Sequence, residues 1–339
     1  MQLLNLPRRR WSLVVASLVL SACASQPVPS LLGPSQSALP ASSPATSRPS
    51  VAVLDTLPIE QVTSLAAAAD GVYFLRGSEG HAVVGHATRA GEDRAAAAGA
   101  TPTALSASAR GVYVAEGPAT DPGAPRQNVL ERLDPRSLEV AASVAIVGPV
   151  AVAATEDAVW VMNGRGTLQK RDPGSLDLIG SVELGTSGPA WLAPDGGRIW
   201  TLGGQVGPVR AIVTAVDAVS VRPIEAVTVP GSATVGAIAI ANGTWVGTLG
   251  SEPGTGNLVR IGDDGSFGSS TSIGSPVALV FANAALWWVS ADGRLGAVGT
   301  DGAALIGAIR VGNGASSAIE ANGILWIATE RLVVVDPAP

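Results

Sequence analysis

The chain has 339 residues, 47% of them apolar and 14% charged, so it can bury a sizeable core. Its formal net charge of −6 lacks the basic surplus of a nucleic-acid binder. A single cysteine excludes an intrachain disulfide, and 41 glycines and 24 prolines spread along the chain suit many short strands joined by turns.

Residues 1–10 end in Arg8-Arg9-Arg10, and residues 11–22 (WSLVVASLVLSA) form an uncharged apolar run. The run is shorter than the roughly 20 residues of a membrane-spanning helix and has the anatomy of a cleavable export signal. It ends in Leu20-Ser21-Ala22-Cys23. This resembles the lipobox of bacterial lipoproteins, a branched apolar residue and two small residues before a cysteine. The resemblance implies that residues 1–22 are a signal peptide and that Cys23 carries diacylglycerol, with a further acyl chain such as palmitate on its amino group. It also implies an address on the extracytoplasmic side of a cell-envelope membrane. Cleavage removes three arginines and no acid, which takes the net charge from −6 to −9. So acidic a surface is not drawn to anionic lipid, and the acyl chains must do the anchoring. Residues 23–50 follow as a segment rich in Ser, Pro and Ala with Arg48 as its one charge, and are expected to form a disordered tether.

Residues 51–339 carry a repeat. A run with small residues, a turn and an apolar-aromatic-apolar strand recur from SLAAAADGVYFLRG (64–77) to AIEANGILWIATE (318–330). The aromatic positions are Tyr73, Tyr113, Trp160, Trp200, Trp245, Trp287 and Trp326, spaced by 40, 47, 40, 45, 42 and 39 residues. A period in the forties with several strands per unit is the mark of propeller blades. Each unit reads as four strands. Strand A is the small-residue run and strand B bears the aromatic. Strand C appears as VLERLDP (129–135), TLQKRDP (167–173), AIVTAVD (211–217), NLVRIGD (257–263) and RLVVVDP (331–337). Strand D appears at 139–148, 177–185, 223–230 and 304–312. The first unit matches most loosely, at 82–99. The last stops after strand C, whereas VAVLDTLP (51–58) reads as a lone strand D. The predicted fold is therefore all-β, a seven-bladed propeller of four-stranded blades in which strand 51–58 joins the last blade and closes the ring. Closure leaves no loose terminal repeat. Strand A should line the central channel, and the strand B aromatic should fill the wedge between blades.

These units resemble the YVTN-type and streptogramin-lyase-like β-propellers of bacteria over nearly all of 51–339. The resemblance implies the fold; propellers host lyases, lactonases, dehydrogenases and scaffolds alike, so it does not by itself imply an activity.

The chain lacks HExxH, CxxC, Walker A and GxSxG motifs. Its two histidines, His81 and His86, lie five residues apart and should face opposite sides of an extended chain, as exposed loop or outer-strand residues. Streptogramin lyases use histidines and a metal-binding acid near the channel mouth, and the second to seventh units contain no histidine. No catalytic, cofactor or metal residue is assigned. The aspartates ending strand C (Asp134, Asp172, Asp217, Asp263, Asp336) read as turn formers whose side chains hold backbone N–H groups.

Connections from strand B to strand C are long in units two (117–128), four (203–209) and five (250–257) and short in units three, six and seven. Long Gly/Pro loops on a rigid scaffold are where binding residues concentrate. Arg126, Gln127, Gln205, Arg210 and Glu252 lie on or beside them, and Trp191 stands in strand A where other units have a small residue such as Ala151. Together they form a candidate ligand face. The expected function is a lipid-anchored binding or protein-interaction module of the envelope, a monomer whose partner is an envelope protein or small molecule, with no nucleic acid and no cofactor. The alternative is an envelope hydrolase or lyase with a diverged site at the channel mouth.

Overall fold

A computed structural model describes residues 51–338, apart from 78–80, 100, 118–127, 205–209, 230–233, 241–242, 251, 253 and 263–264. Cys23 and the segments before residue 51 lie outside the described residues, as do Arg126, Gln127, Gln205 and Asp263. The described chain contains only strands, arranged as seven four-stranded antiparallel sheets.

Blade one comprises β2 (Val62–Ala67), β3 (Val72–Arg76), β4 (Val83–Thr88) and β5 (Gly91–Ala97). Blade two comprises β6 (Pro102–Ser108), β7 (Gly111–Glu116), β8 (Val129–Leu133) and β9 (Val140–Ala145). Blade three runs from β10 (Pro149–Ala154) through β11 (Val159–Asn163) and β12 (Thr167–Arg171) to β13 (Leu178–Glu183). Blade four holds β14 (Ser187–Asp195), β15 (Arg198–Gly204), β16 (Ala211–Asp217) and β17 (Arg222–Thr228). Blade five holds β18 (Thr234–Ile240), β19 (Thr244–Leu249), β20 (Gly256–Ile261) and β21 (Phe267–Ile273). Blade six holds β22 (Pro276–Ala282), β23 (Ala285–Ser290), β24 (Arg294–Gly299) and β25 (Ala304–Arg310). In blade seven, β26 (Ser317–Ala321), β27 (Ile324–Ala328) and β28 (Leu332–Asp336) are completed by β1 (Ala52–Leu57) as the outermost strand. The molecule is a seven-bladed β-propeller closed as the sequence predicts. Blade one is regular despite its loose sequence match. Strands β21 and β24 add the strand D of blade five and the strand C of blade six, which the pattern alone does not reveal.

The aromatic period reflects how neighbouring blades meet. All seven aromatics are buried, and each joins a core cluster that spans two blades. Trp160 of blade three, for example, packs with Ile199, Val216 and Val221 of blade four. Trp326 of blade seven packs with Val72 and Phe74 of blade one, so the same wedge closes the circle. Ser316 Oγ adds a hydrogen bond to Val62 O at 2.6 Å across that seam.

The aspartates at the ends of strand C work as predicted in three blades. Asp134 Oδ1 accepts from the N–H groups of Arg136 and Ser137, each at 2.9 Å. Asp172 does the same with Gly174 and Ser175 at 2.8 Å, and Asp217 with Val219 and Ser220 at 3.2 and 2.6 Å. Each turn ends on a left-handed apolar residue, Leu138, Leu176 or Val221, whose N–H returns to the aspartate carbonyl. Those residues are buried in the wedges, so the turn also plugs the core. Asp336 differs: it ends β28 opposite Ala52 of β1, because strand D of that blade comes from the other end of the domain.

Backbone N–H groups, those of Ser137, Ser175 and Ser220 foremost, hold the Asp134, Asp172 and Asp217 carboxyls below the ordinary aspartate range. A depressed folded value contributes stability that is present above the unfolded value, about 3.9, and is lost as pH falls through the lower folded values. Thermal melts taken downward from about pH 4 should therefore show an acid limb. The triple variant Asp134→Asn, Asp172→Asn, Asp217→Asn keeps the turn acceptors without the charge and should flatten that limb. An unchanged limb would place the acid sensitivity elsewhere.

Candidate functional site

The innermost strand of every blade contributes to a central cavity of about 340 Å³. Its walls combine small and aliphatic side chains with hydroxyls such as those of Thr63, Thr103 and Ser316, and no titratable side chain lies among its described residues. Two of these hydroxyls tie neighbouring blades: Thr103 Oγ1 of blade two donates to Pro149 O of blade three at 2.9 Å, and Ser316 Oγ bridges the seam between blades seven and one.

Strand register makes one position stand out. The residue opposite the second residue after each wedge aromatic is Ser64, Ala104, Ala151, Trp191, Ala237, Ala278 or Ser317. Six are small and one is tryptophan. Trp191 is half-buried, packs beside the cluster containing Trp200 and Ile238, and lines the cavity. Its ring therefore both packs against a blade wedge and faces the channel.

The other described members of the predicted ligand face do not join it. Arg210 and Glu252 are exposed and absent from the cavity wall, and the backbone carbonyl of Glu252 serves a turn, accepting from Thr255 Oγ1 at 2.7 Å. The connection lengths agree with expectation in blades two to seven, and blade one's, from 77 to 82, is as long as those of blades four and five. Among the described residues, no group of three or more His, Cys, Asp or Glu is placed to hold a metal ion.

His86 departs from the sequence reading. It is fully buried on β4, because the pairing of β3 with β4 sets it opposite Tyr73 on the wedge side of the sheet. Its ring lies 5.0 Å from the Tyr73 ring. Nδ1 is 2.8 Å from Asp93 Oδ1, and Nε2 is 3.0 Å from Asp70 Oδ1 without hydrogen-bond alignment. His81 is exposed, as expected, and lines a separate recess with Glu60 and Arg76. The register also reveals a pattern. Facing the wedge aromatic on strand C are His86, Arg132, Lys170 and Arg260 in blades one, two, three and five, and Ala215, Ala297 and Val334 in the others. Lys170 and Arg260 lie over Trp160 and Trp245, at 5.7 and 5.9 Å from the ring centroids. His86→Ala should cost about 2–4 kcal/mol in denaturant unfolding, through the emptied site and the lost bond to Asp93. A change within error would mean that the imidazole is dispensable to the wedge.

Compared by sequence, the chain matches no family model and no curated protein. Compared by structure, it is similar to a chain of the hydrazine synthase from Kuenenia stuttgartiensis. The TM-score is 0.68 at 13% identity, over 83% of this chain and 97% of that one. It is also similar to BamB from Moraxella catarrhalis, with a TM-score of 0.57 at 14% identity, over 84% and 97% of the two chains. The likeness is one of fold. Identities this low carry no site residues across, and one scaffold serves unrelated roles.

Proposed function

We propose that the chain is a lipid-anchored, extracytoplasmic β-propeller of the cell envelope that acts by binding, on the ring face that carries the connections from strand B to strand C. The observation that carries binding over catalysis is the central cavity, whose described wall is made of small, aliphatic and hydroxyl side chains with Trp191 as its one large aromatic. Such a wall can seat or stack a ligand but offers no general acid, base or nucleophile activated by one. Anchoring rests on Arg8-Arg9-Arg10, the apolar run 11–22 and the Leu20-Ser21-Ala22-Cys23 junction. The YVTN-type and streptogramin-lyase-like kinship rests on the strand C and strand D phrases of the repeat. The partner is an envelope protein or a small molecule.

Two experiments test this. Cys23→Ser should leave the chain uncleaved and unlipidated, or release it from its anchor, as read by a mobility shift and radiolabelled palmitate incorporation. Equal labelling of both forms would remove the lipoprotein reading. Photo-crosslinking in native membranes should capture one stoichiometric partner, and shortening 118–127 or replacing Trp191 with Ala should weaken the capture. Capture indifferent to both changes would put the binding face elsewhere. Recovery of the chain alone would shift the ligand to a small molecule.

A further inference from the structure

A second recess lies at the opposite end of the ring, among the turns that join strand A to B and strand C to D. It is a groove of about 670 Å³ between blades one and two. One wall is apolar, made by the alanines that follow Ala66 at the end of β2, with Tyr73 beside them. Blade two supplies Arg110, Arg132, Arg136 and Asp134. The lining thus carries three guanidiniums and one carboxylate on a chain whose net charge is −6, and Glu156 Oε1 stands beside it, accepting from Ala109 N–H at 3.1 Å.

Two of the acceptors nearby are already engaged. Asp134 Oδ1 holds the Arg136 and Ser137 N–H groups. Pro135 O takes the Tyr73 hydroxyl at 3.1 Å. No guanidinium of the three stands in an ion pair among the described residues. Arg132 donates from Nη1 to Arg110 O at 3.3 Å, and its buried Nε has no partner among the described residues. Its stem runs across Gly111, where a Cβ would come within 2.8 Å of Arg132 Cγ. In blades three and five the matching cation lies over a tryptophan. In blade two the facing aromatic is Tyr113, whose hydroxyl donates to Pro173 O at 2.8 Å.

We propose that this groove is a binding site for a small anionic ligand bearing a carboxylate or phosphate group, with its apolar part against the alanine wall. Guanidinium forks match both oxyanions, and the volume is that of an ordinary small-molecule site. The site is independent of the channel face and of lipid anchoring.

Isothermal titration calorimetry on the full-length chain in detergent tests it, with pyrophosphate and tricarballylate as probes. At least one should bind at a single site, and added salt should weaken binding. Arg110→Gln and Arg136→Gln, both at exposed positions, should each lower affinity about tenfold. Arg222→Gln, on the outer strand β17, should leave it unchanged. Arg132→Gln should lower it further where thermal melts show that variant folded. Binding of one probe alone supports the site and names the oxyanion. Silence from both at millimolar concentration, or affinity unchanged in Arg110→Gln and Arg136→Gln, would overturn the proposal.

Discussion

Deleting residues 51–59 is expected to abolish the cooperative folding of the ring. Those residues include β1, the outer strand of blade seven, which pairs along β28 from Ala52 opposite Asp336 to Leu57 opposite Leu332. Leu57 and Ile59 are buried in the cluster that joins blade seven to blade one. Losing two such aliphatic side chains costs about 2–5 kcal/mol each, and the strand's hydrogen bonds go with them. A typical fold has only about 5–15 kcal/mol in all. The deletion also bares the edge of β28, whose Val333, Val334 and Val335 are buried in the intact ring, and a bare apolar edge invites pairing between chains. Circular dichroism melts should lose their cooperative transition, and size-exclusion chromatography should show oligomers. A truncated monomer melting near the full-length temperature would show that a three-stranded seventh blade suffices.

The second large effect concerns the wedge tryptophans. Trp287 is 1% exposed and stands between blades six and seven against Leu325, Ile327, Val333 and Val335. Trp287→Ala should cost about 3–5 kcal/mol, since residues on two separate blades cannot both collapse into the space. Conservative changes separate packing from polarity. Trp287 Nε1 donates to Ala282 O at 3.1 Å, whereas the buried Nε1 of Trp326 has no partner among the described residues. Trp287→Phe should therefore be more destabilising than Trp326→Phe by about 1 kcal/mol in urea unfolding. The reverse order would mean that ring shape, and not the indole N–H, decides the difference.

The fold was legible because each blade buries the same side chains in the same way. An aromatic that must fill a wedge recurs once per blade, and small residues recur where seven strands crowd around an axis. The aspartate turns were legible for a related reason: Asp172 reaches N–H groups only two and three residues away. The closing strand showed as a fragment of the repeat at the wrong end of the domain.

The sites were less legible. Their geometry depends on pairs that no local pattern marks. His86 reads as an exposed residue until β3 and β4 pair and set it against Tyr73, with Asp70 and Asp93 at its edges. Tyr73 reaches Pro135, 62 residues on and in the next blade. Arg110, Arg132 and Arg136 belong to three separate segments of blade two, and they form a groove only because the alanines of blade one stand opposite. By itself, the sequence determined the blade, the blade count and the closure, since these follow from burial repeated along the chain. Tertiary structure decided which side chains meet across strands and between blades, because register and blade contact bring together residues whose separation in sequence carries no period.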